Sequence, residues 1–200
     1  LDDLAAKRFL GQYKPHMPLL DVDNPITMGA LALPNYYMEA RRQVAEGMKH
    51  APAAILETGR AFKKEFGRDY GFLELYQMED AELVVVVLGS AAGTTKVAVN
   101  ELRREGKKVG LLKLRVFRPF PKGELAEALA GARAVAVLDR CDSYGAKGGP
   151  VYHEVRSALY DLEVRPPVIG YVYGLGGRDI DVEEIESVYD TLEKIADGAP

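Results

Sequence analysis

Two hundred residues, 48% of them hydrophobic and 28% charged, suffice for one ordinary soluble domain with additional length and a sizeable core. A net charge of −4 and a pI near 5.5, with no run of Lys and Arg interleaved with aromatics, exclude a nucleic-acid surface. The lone cysteine, Cys141, excludes an internal disulfide framework, and no apolar run reaches the roughly 20 residues that a membrane span needs.

With no signal-peptide layout at the start, the expected location is cytoplasmic and the expected compartment reducing. The three histidines, His16, His50 and His153, are far apart in sequence and none has a second ligand at i+3 or i+4, so no metal site is legible. Leu1 is not an initiator Met, and Leu4, Ala5 and Phe9 already read as part of a helical stripe. The sequence is therefore expected to be a piece of something longer.

After that short helix, Gln12 to Leu33 carries Pro15, Pro18, Pro25 and Gly29, with Pro34 just beyond, and cannot form a long regular element. It reads as a connector, residues 1–33. Its apolar residues, among them Met17, Leu20, Val22 and Leu31, are too many for a free linker. Packing against a neighbouring domain or subunit and wrapping around its own domain are both open. Pro34 suits a first helical turn, and the pattern predicts a helix to about Lys49 and a second from Pro52 to about Phe66, an αα pair closed by Gly67. Met38, Val44 and Met48 read as ordinary core. Tyr70 to Tyr76, aromatic-rich, is expected to be an edge strand with Glu74 exposed, so that residues 34–79 make a second segment.

From residue 80 to 200 strands and helices alternate. Strands are predicted at Leu83 to Leu88, Val109 to Leu114, Ala134 to Leu138 and Val168 to Tyr173. Helices are predicted at Ala92 to Glu105, Pro121 to Ala130, Pro150 to Tyr160 and Val182 to about Ala196. Asp181 with Glu184 resembles a capping box. The expected class is α/β: a three-layer α/β/α domain with a mostly parallel sheet, preceded by the extended connector and the αα pair.

Chemistry in such a sheet belongs at the carboxyl ends of the strands. Gly89-Ser90-Ala91-Ala92-Gly93-Thr94-Thr95 comes directly after the first parallel strand. Its small residues would let a backbone approach an anion at a helix N-terminus, with Ser90 or Thr94 as cap, or would simply serve tight strand-to-helix packing. It is not a P-loop, having three residues between glycines and no Lys-Ser/Thr. Arg115 and Arg118, beside Pro119 and Pro121, would form a fork for a carboxylate or phosphate, with surface ion pairing as the alternative. Gly89, Ser90, Gly93, Thr94, Arg115 and Arg118 are thus the candidate anion or coenzyme A contacts. Asp139 at a strand end either orients a substrate or orders a loop as a cap, and Cys141 has no histidine near it in sequence to make it a nucleophile. Gly174-Leu175-Gly176-Gly177-Arg178-Asp179 begins like a dinucleotide fingerprint but has Asp179 in place of the last Gly. No stretch assembles acid, base and nucleophile.

Gly89 to Thr94, Val109 to Pro121 (VGLLKLRVFRPFP), Val135 to Arg140 and Tyr173 to Asp179 (YGLGGRD), in that order, resemble the C-terminal part of the alpha subunit of pyruvate:ferredoxin oxidoreductases. Asp23 to Leu31 resembles the segment that comes after the first domain in those subunits. The resemblance covers nearly the whole chain and implies a transketolase C-terminal-like fold. It implies a thiamine diphosphate enzyme that decarboxylates a 2-oxoacid onto coenzyme A and passes electrons through iron-sulfur clusters to ferredoxin. Thiamine diphosphate, Mg, the clusters and coenzyme A are implied for the whole enzyme, with beta, gamma and delta type subunits and ferredoxin as partners. For this piece the resemblance implies scaffolding: no bound cofactor, no catalytic residue and no activity alone. A phosphate- or coenzyme A-binding domain at Gly89 to Thr95 is the alternative.

Overall fold

The computed structural model describes residues 2–29 and 31–198. The chain divides after Tyr70 into two compact units.

The first unit begins with α1 (Asp3–Leu10), whose N-cap Asp2 accepts the amide N–H of Ala5 at 2.8 Å. Residues 11–29 and 31–33 form no regular element beyond turns, and Leu20 is 93% exposed. Next comes α2 (Pro34–Phe66), one uninterrupted helix of 33 residues with Pro52 inside it. The expected αα pair is therefore corrected to a single helix. Pro52 removes one i→i−4 hydrogen bond, but nothing nearby supplies a stop. Gly47, which could have provided a left-handed cap, stays in helical conformation, and the flanking Ala, Met, Glu and Lys residues favour helix. The true stop is Gly67, at φ 70°, whose N–H bonds the Lys63 carbonyl. Phe9 meets Phe62 and Phe66 edge-on at 5.6 and 5.4 Å, which holds α1 against the end of α2. Gly59 is buried, and glycine is needed there because a Cβ would lie 2.2 Å from the Tyr70 carbonyl oxygen. Val44 and Met48, expected in the core, are about half exposed, and Met38 is more so. The amino-terminal half of α2 has no covering layer within its own unit.

The second unit holds five strands, β1 (Leu73–Tyr76), β2 (Leu83–Leu88), β3 (Val109–Leu114), β4 (Ala134–Asp139) and β5 (Val168–Val172), in the order β1-β3-β2-β4-β5. All neighbours are parallel except β1 with β3. Between strands lie α3 (Ala91–Arg104), α4 (Lys122–Leu129) and α5 (Pro150–Leu159), and α6 (Val182–Ala196) follows β5. The edge strand sits where expected, but it belongs with the sheet, and Glu74 on it is not exposed: its carboxylate bonds Lys96 and Arg115.

The reason β2 lies at the centre is written in Val84 to Val87, four consecutive buried residues. In a strand, alternate side chains point to opposite faces, so both faces must be covered. Val85 and Val87 pack with Ala98, Val99, Ile185 and Leu192 of α3 and α6, whereas Val84 and Val86 pack with Leu125, Leu129, Val151 and Val155 of α4 and α5. Each fully buried Val or Leu contributes about 1.5–3 kcal/mol of burial. Helix α6 starts as read from its sequence: Asp181 accepts the N–H of Glu184, and Glu184 accepts the N–H of Asp181.

Candidate functional site

The strand order fixes where a crevice can open. From β2 the chain passes through α3 on one face of the sheet, and from β4 it passes through α5 on the other, so the two connections diverge at the carboxyl ends of adjacent strands. Such a divergence leaves a cleft in open α/β sheets. Here it is a cavity of about 310 Å³ bounded by Leu88, Phe117, Leu138, Asp139, Cys141 and Val151. Its walls are mostly apolar. Leu88, the only exposed residue of β2, reaches its rim.

Asp139 lies 2% exposed at the end of β4. Its two carboxylate oxygens accept the amide N–H groups of Val151 and Tyr152, each at 2.9 Å, at the start of α5. This caps the first turn, where four N–H groups have no partner inside the helix. Gly149 has to be glycine, since a Cβ would fall 2.4–2.6 Å from the Asp139 side chain. Of the two roles read for Asp139, the structure shows the cap. Arg140 donates from Nε to the Gly174 carbonyl at 3.1 Å, and the N–H of Tyr173 bonds the Asp139 carbonyl at 2.9 Å, so the loops after β4 and β5 are tied together. Burial pushes the Tyr173 hydroxyl above the ordinary tyrosine range. Cys141 is exposed, with Sγ 3.6 Å from the Asp142 carbonyl.

The six sequence candidates are engaged in different ways. Gly89 has φ 86°, a left-handed backbone that explains the glycine, and no atom lies within 4 Å of where its Cβ or that of Gly93 would sit. Ser90 occupies the N-cap of α3 but makes no side-chain cap bond, while the Gly93 N–H bonds the Ser90 carbonyl. Thr94 is half-buried. The fully buried hydroxyl is that of Thr95, which donates to the Ala91 carbonyl at 2.9 Å. Arg115 is paired with Glu74 at 2.6 Å. Arg118 is paired with Glu154 of α5 at 2.5 Å and lies over the Phe117 ring at 4.1 Å. The two guanidinium groups thus serve different carboxylates on different elements. The hydrogen bond from Lys96, with a smaller contribution from Arg115, holds the Glu74 carboxyl below the ordinary glutamate range.

Sequence reading missed Glu74 and Glu154 as the partners of these arginines, because each pair spans 36 residues or more. It also missed Leu88 and Val151 as cleft walls. An apolar residue directly before the Gly89 turn, at the end of a buried strand, was the available signal. Among the described residues no group of three or more His, Cys, Asp or Glu could hold a metal ion, and no helix is long and apolar enough to cross a membrane.

Comparisons with known proteins place this geometry. The pyruvate synthase subunit PorA of Thermotoga maritima is 50% identical over 188 residues, covering 94% of this chain and 48% of that protein. PorA of Methanocaldococcus jannaschii is 41% identical over 97% of this chain and 49% of its own length. The ketoisovalerate oxidoreductase subunit VorA of Pyrococcus horikoshii is 43% identical over 95% of this chain and 48% of its own length. The chain therefore spans about half the length of these relatives. Among solved structures, a 2-oxoglutarate:ferredoxin oxidoreductase from Magnetococcus marinus superimposes with a TM-score of 0.52 at 15% identity, over 88% of this chain and 28% of that one, and so shares the fold. Residues 81–185, from the start of β2 to the first turn of α6, match the model of pyruvate:ferredoxin oxidoreductase core domain II, and the chain belongs to that family.

Proposed function

We propose that the chain is part of the alpha subunit of a thiamine-dependent 2-oxoacid:ferredoxin oxidoreductase, with pyruvate as substrate, and that this part serves assembly. The observation carrying the reading is the 50% identity to the Thermotoga maritima pyruvate synthase subunit over 94% of the chain. The relative named for ketoisovalerate is as similar as the second pyruvate synthase subunit, so pyruvate rests on the first relative alone.

Two features support a structural role. The buried carboxylate at the crevice, Asp139, is spent on two amides, and Arg118, next to the crevice residue Phe117, is paired with Glu154. The connector meanwhile exposes Tyr13, Leu20 and Val22 at 86, 93 and 88%, apolar area that water disfavours and a partner surface would cover. The residues present do not fit an iron-sulfur cluster, which needs several thiolates where this chain has one. In this reading the clusters, thiamine diphosphate and Mg are held by residues outside this chain, in beta, gamma or delta type subunits and the remaining part of the alpha subunit, and ferredoxin is met by the complex. The location is proposed to be cytoplasmic.

The test is a chimera in which these 200 residues replace the matching half of a pyruvate synthase alpha subunit. It should co-purify with the other subunits and support pyruvate- and coenzyme A-dependent ferredoxin reduction, while the chain alone should be inactive. A folded chimera that does not join the complex, or a chain active alone, overturns the proposal.

A second reading is favoured by one observation: the open space above Gly89 and Gly93 at the carboxyl end of the central strand. There the start of α3 would take a phosphate of coenzyme A, with Arg115 or Arg118 released from its carboxylate. Calorimetry with coenzyme A that shows no heat, and an unchanged holoenzyme affinity in Arg118→Ala, would dispose of it.

A further inference from the structure

At the opposite end of the sheet from the crevice, the last turn of α5, the loop before β5 and the first residue of α4 line a second, open cavity of about 660 Å³. Its volume falls within the range of small-molecule sites. Three cations line it, Lys122, Arg156 and Arg165, against one carboxylate, Asp161. In a chain of net charge −4 this is a local reversal of sign. Lys122 is committed to Asp161 at 2.8 Å. The two arginines are not committed to any carboxylate among the described residues. Arg156 is held by the hydroxyl of Tyr152 at 2.9 Å and lies over that ring at 5.5 Å, and Arg165 donates to the Tyr160 carbonyl at 3.1 Å and lies over the Tyr160 ring at 5.4 Å.

Each guanidinium has five N–H donors, and these contacts use one apiece. The cation–π contacts hold each guanidinium near its ring without neutralising it. Two unneutralised guanidinium groups, both solvent-exposed and lining one open concavity, offer what a phosphate monoester requires: bidentate donors and positive charge. The rest of the wall is the exposed Tyr160 and Pro167, with Leu159 and Pro166 buried behind them and the Ser157 hydroxyl alongside. That surface suits a planar apolar body attached to the phosphate. The carbonyls at the end of α5 favour cations, and they account for Arg165 bonding Tyr160. They also favour Arg156, which lies in the last turn of α5, but they do not account for the cavity that both arginines line.

We propose that the cavity bounded by Lys122, Arg156, Ser157, Tyr160, Arg165 and Pro167 binds a small phosphate monoester carrying a planar apolar group, with Arg156 and Arg165 gripping the phosphate. The site lies apart from Gly89 to Thr95 and does not depend on the oxidoreductase reading.

The experiment is an amide NMR titration of the 200-residue chain with adenosine monophosphate, inorganic phosphate and adenosine. Adenosine monophosphate should shift amides between residues 156 and 168 and saturate with a dissociation constant on the order of 1 mM or tighter. Inorganic phosphate should shift the same amides more weakly, and adenosine should not shift them. Arg156→Ala and Arg165→Ala should each weaken binding about tenfold. Arg165→Lys, which keeps the charge but loses the fork, should fall between and serves as the reporting variant if Arg165→Ala does not fold. The proposal is overturned if about 10 mM of either phosphate leaves these amides unmoved, if the shifts fall at Gly89 to Thr95 instead, or if the folded arginine variants bind as the parent does.

Discussion

The carboxylate of Asp139, at the end of β4, accepts the backbone N–H of Tyr152, in the first turn of α5, at 2.9 Å, and its second oxygen takes the neighbouring Val151 N–H. Ten residues of loop separate the two elements, and this one buried side chain closes them. Asp139→Ala should remove both bonds, leave two amides buried without partners, and lower unfolding stability by about 2–3 kcal/mol. Asp139→Asn, with a single acceptor oxygen, should cost about half as much. Urea denaturation midpoints at constant slope decide this. Gly149→Ala should cost about 1–3 kcal/mol through overpacking, since the new Cβ meets that carboxylate at 2.6 Å or less.

Within the first unit, Gly59 has the same character. A Cβ there falls 2.2 Å from the backbone oxygen of Tyr70, an atom that cannot rotate away. Gly59→Ala would be favourable for a free helix by about 1 kcal/mol. Here it should instead destabilise, by about 1–3 kcal/mol, and separate the segment after Gly67 from α2. Near-ultraviolet circular dichroism of Tyr70, which packs on Phe62 at 5.5 Å, and the melting curve read both effects.

Glu74 gives a pH dependence with a definite sign. Its folded carboxyl titrates below the ordinary value near 4.5, first because of the bond from Lys96 and then because of Arg115. Its stabilising contribution is therefore fully present above pH 4.5 and is lost as pH falls through the depressed folded value. Glu74→Gln should lower the melting temperature at pH 7 and should make progressively less difference as acid protonates the parent. An equal difference at both ends of that window would show that the two ion pairs at the β1 edge are not what holds it.

The connector separates stability from assembly. Leu20 and Val22 touch little in their own unit, being about nine-tenths exposed. Leu20→Asp and Val22→Asp should leave the unfolding stability of the chain within about 0.5 kcal/mol. In the chimeric alpha subunit they should reduce co-purification with the other subunits. Unchanged co-purification would remove the connector from the assembly surface.

Element boundaries in the second unit were legible because two signals agreed there: apolar runs of strand length, and 3.6-residue stripes with recognisable ends. Val182–Ala196 shows this best, since the Asp181 and Glu184 pair announces its start within four residues of sequence. The helix at 34–66 resisted reading for the converse reason. Pro52 suggests a break, yet a proline ends a helix only where the flanking residues also favour ending it, and Gly47 did not adopt the left-handed conformation of a cap. The amphipathic pattern of α2 was visible, but periodicity reports that a face is apolar and not what covers it. Val44 and Met48 are accordingly about half exposed within this chain.

The sequence by itself determined the alternation of strands and helices, the central place of Leu83 to Leu88, and the family, because each rests on local order: residue type, spacing and motifs read along the chain. Tertiary structure alone decided the uses of the charged side chains. Arg115 and Arg118, neighbours in sequence and plausible as one fork, were given to Glu74 and Glu154, which lie 41 and 36 residues away. Asp139 was given to amides 12 and 13 residues on, and Arg156 and Arg165 were brought to one cavity while remaining unneutralised. The physical reason is that an ion pair or a buried hydrogen bond depends on distance through space, falling off within a few ångströms, whereas propensity and periodicity act between residues four or fewer apart.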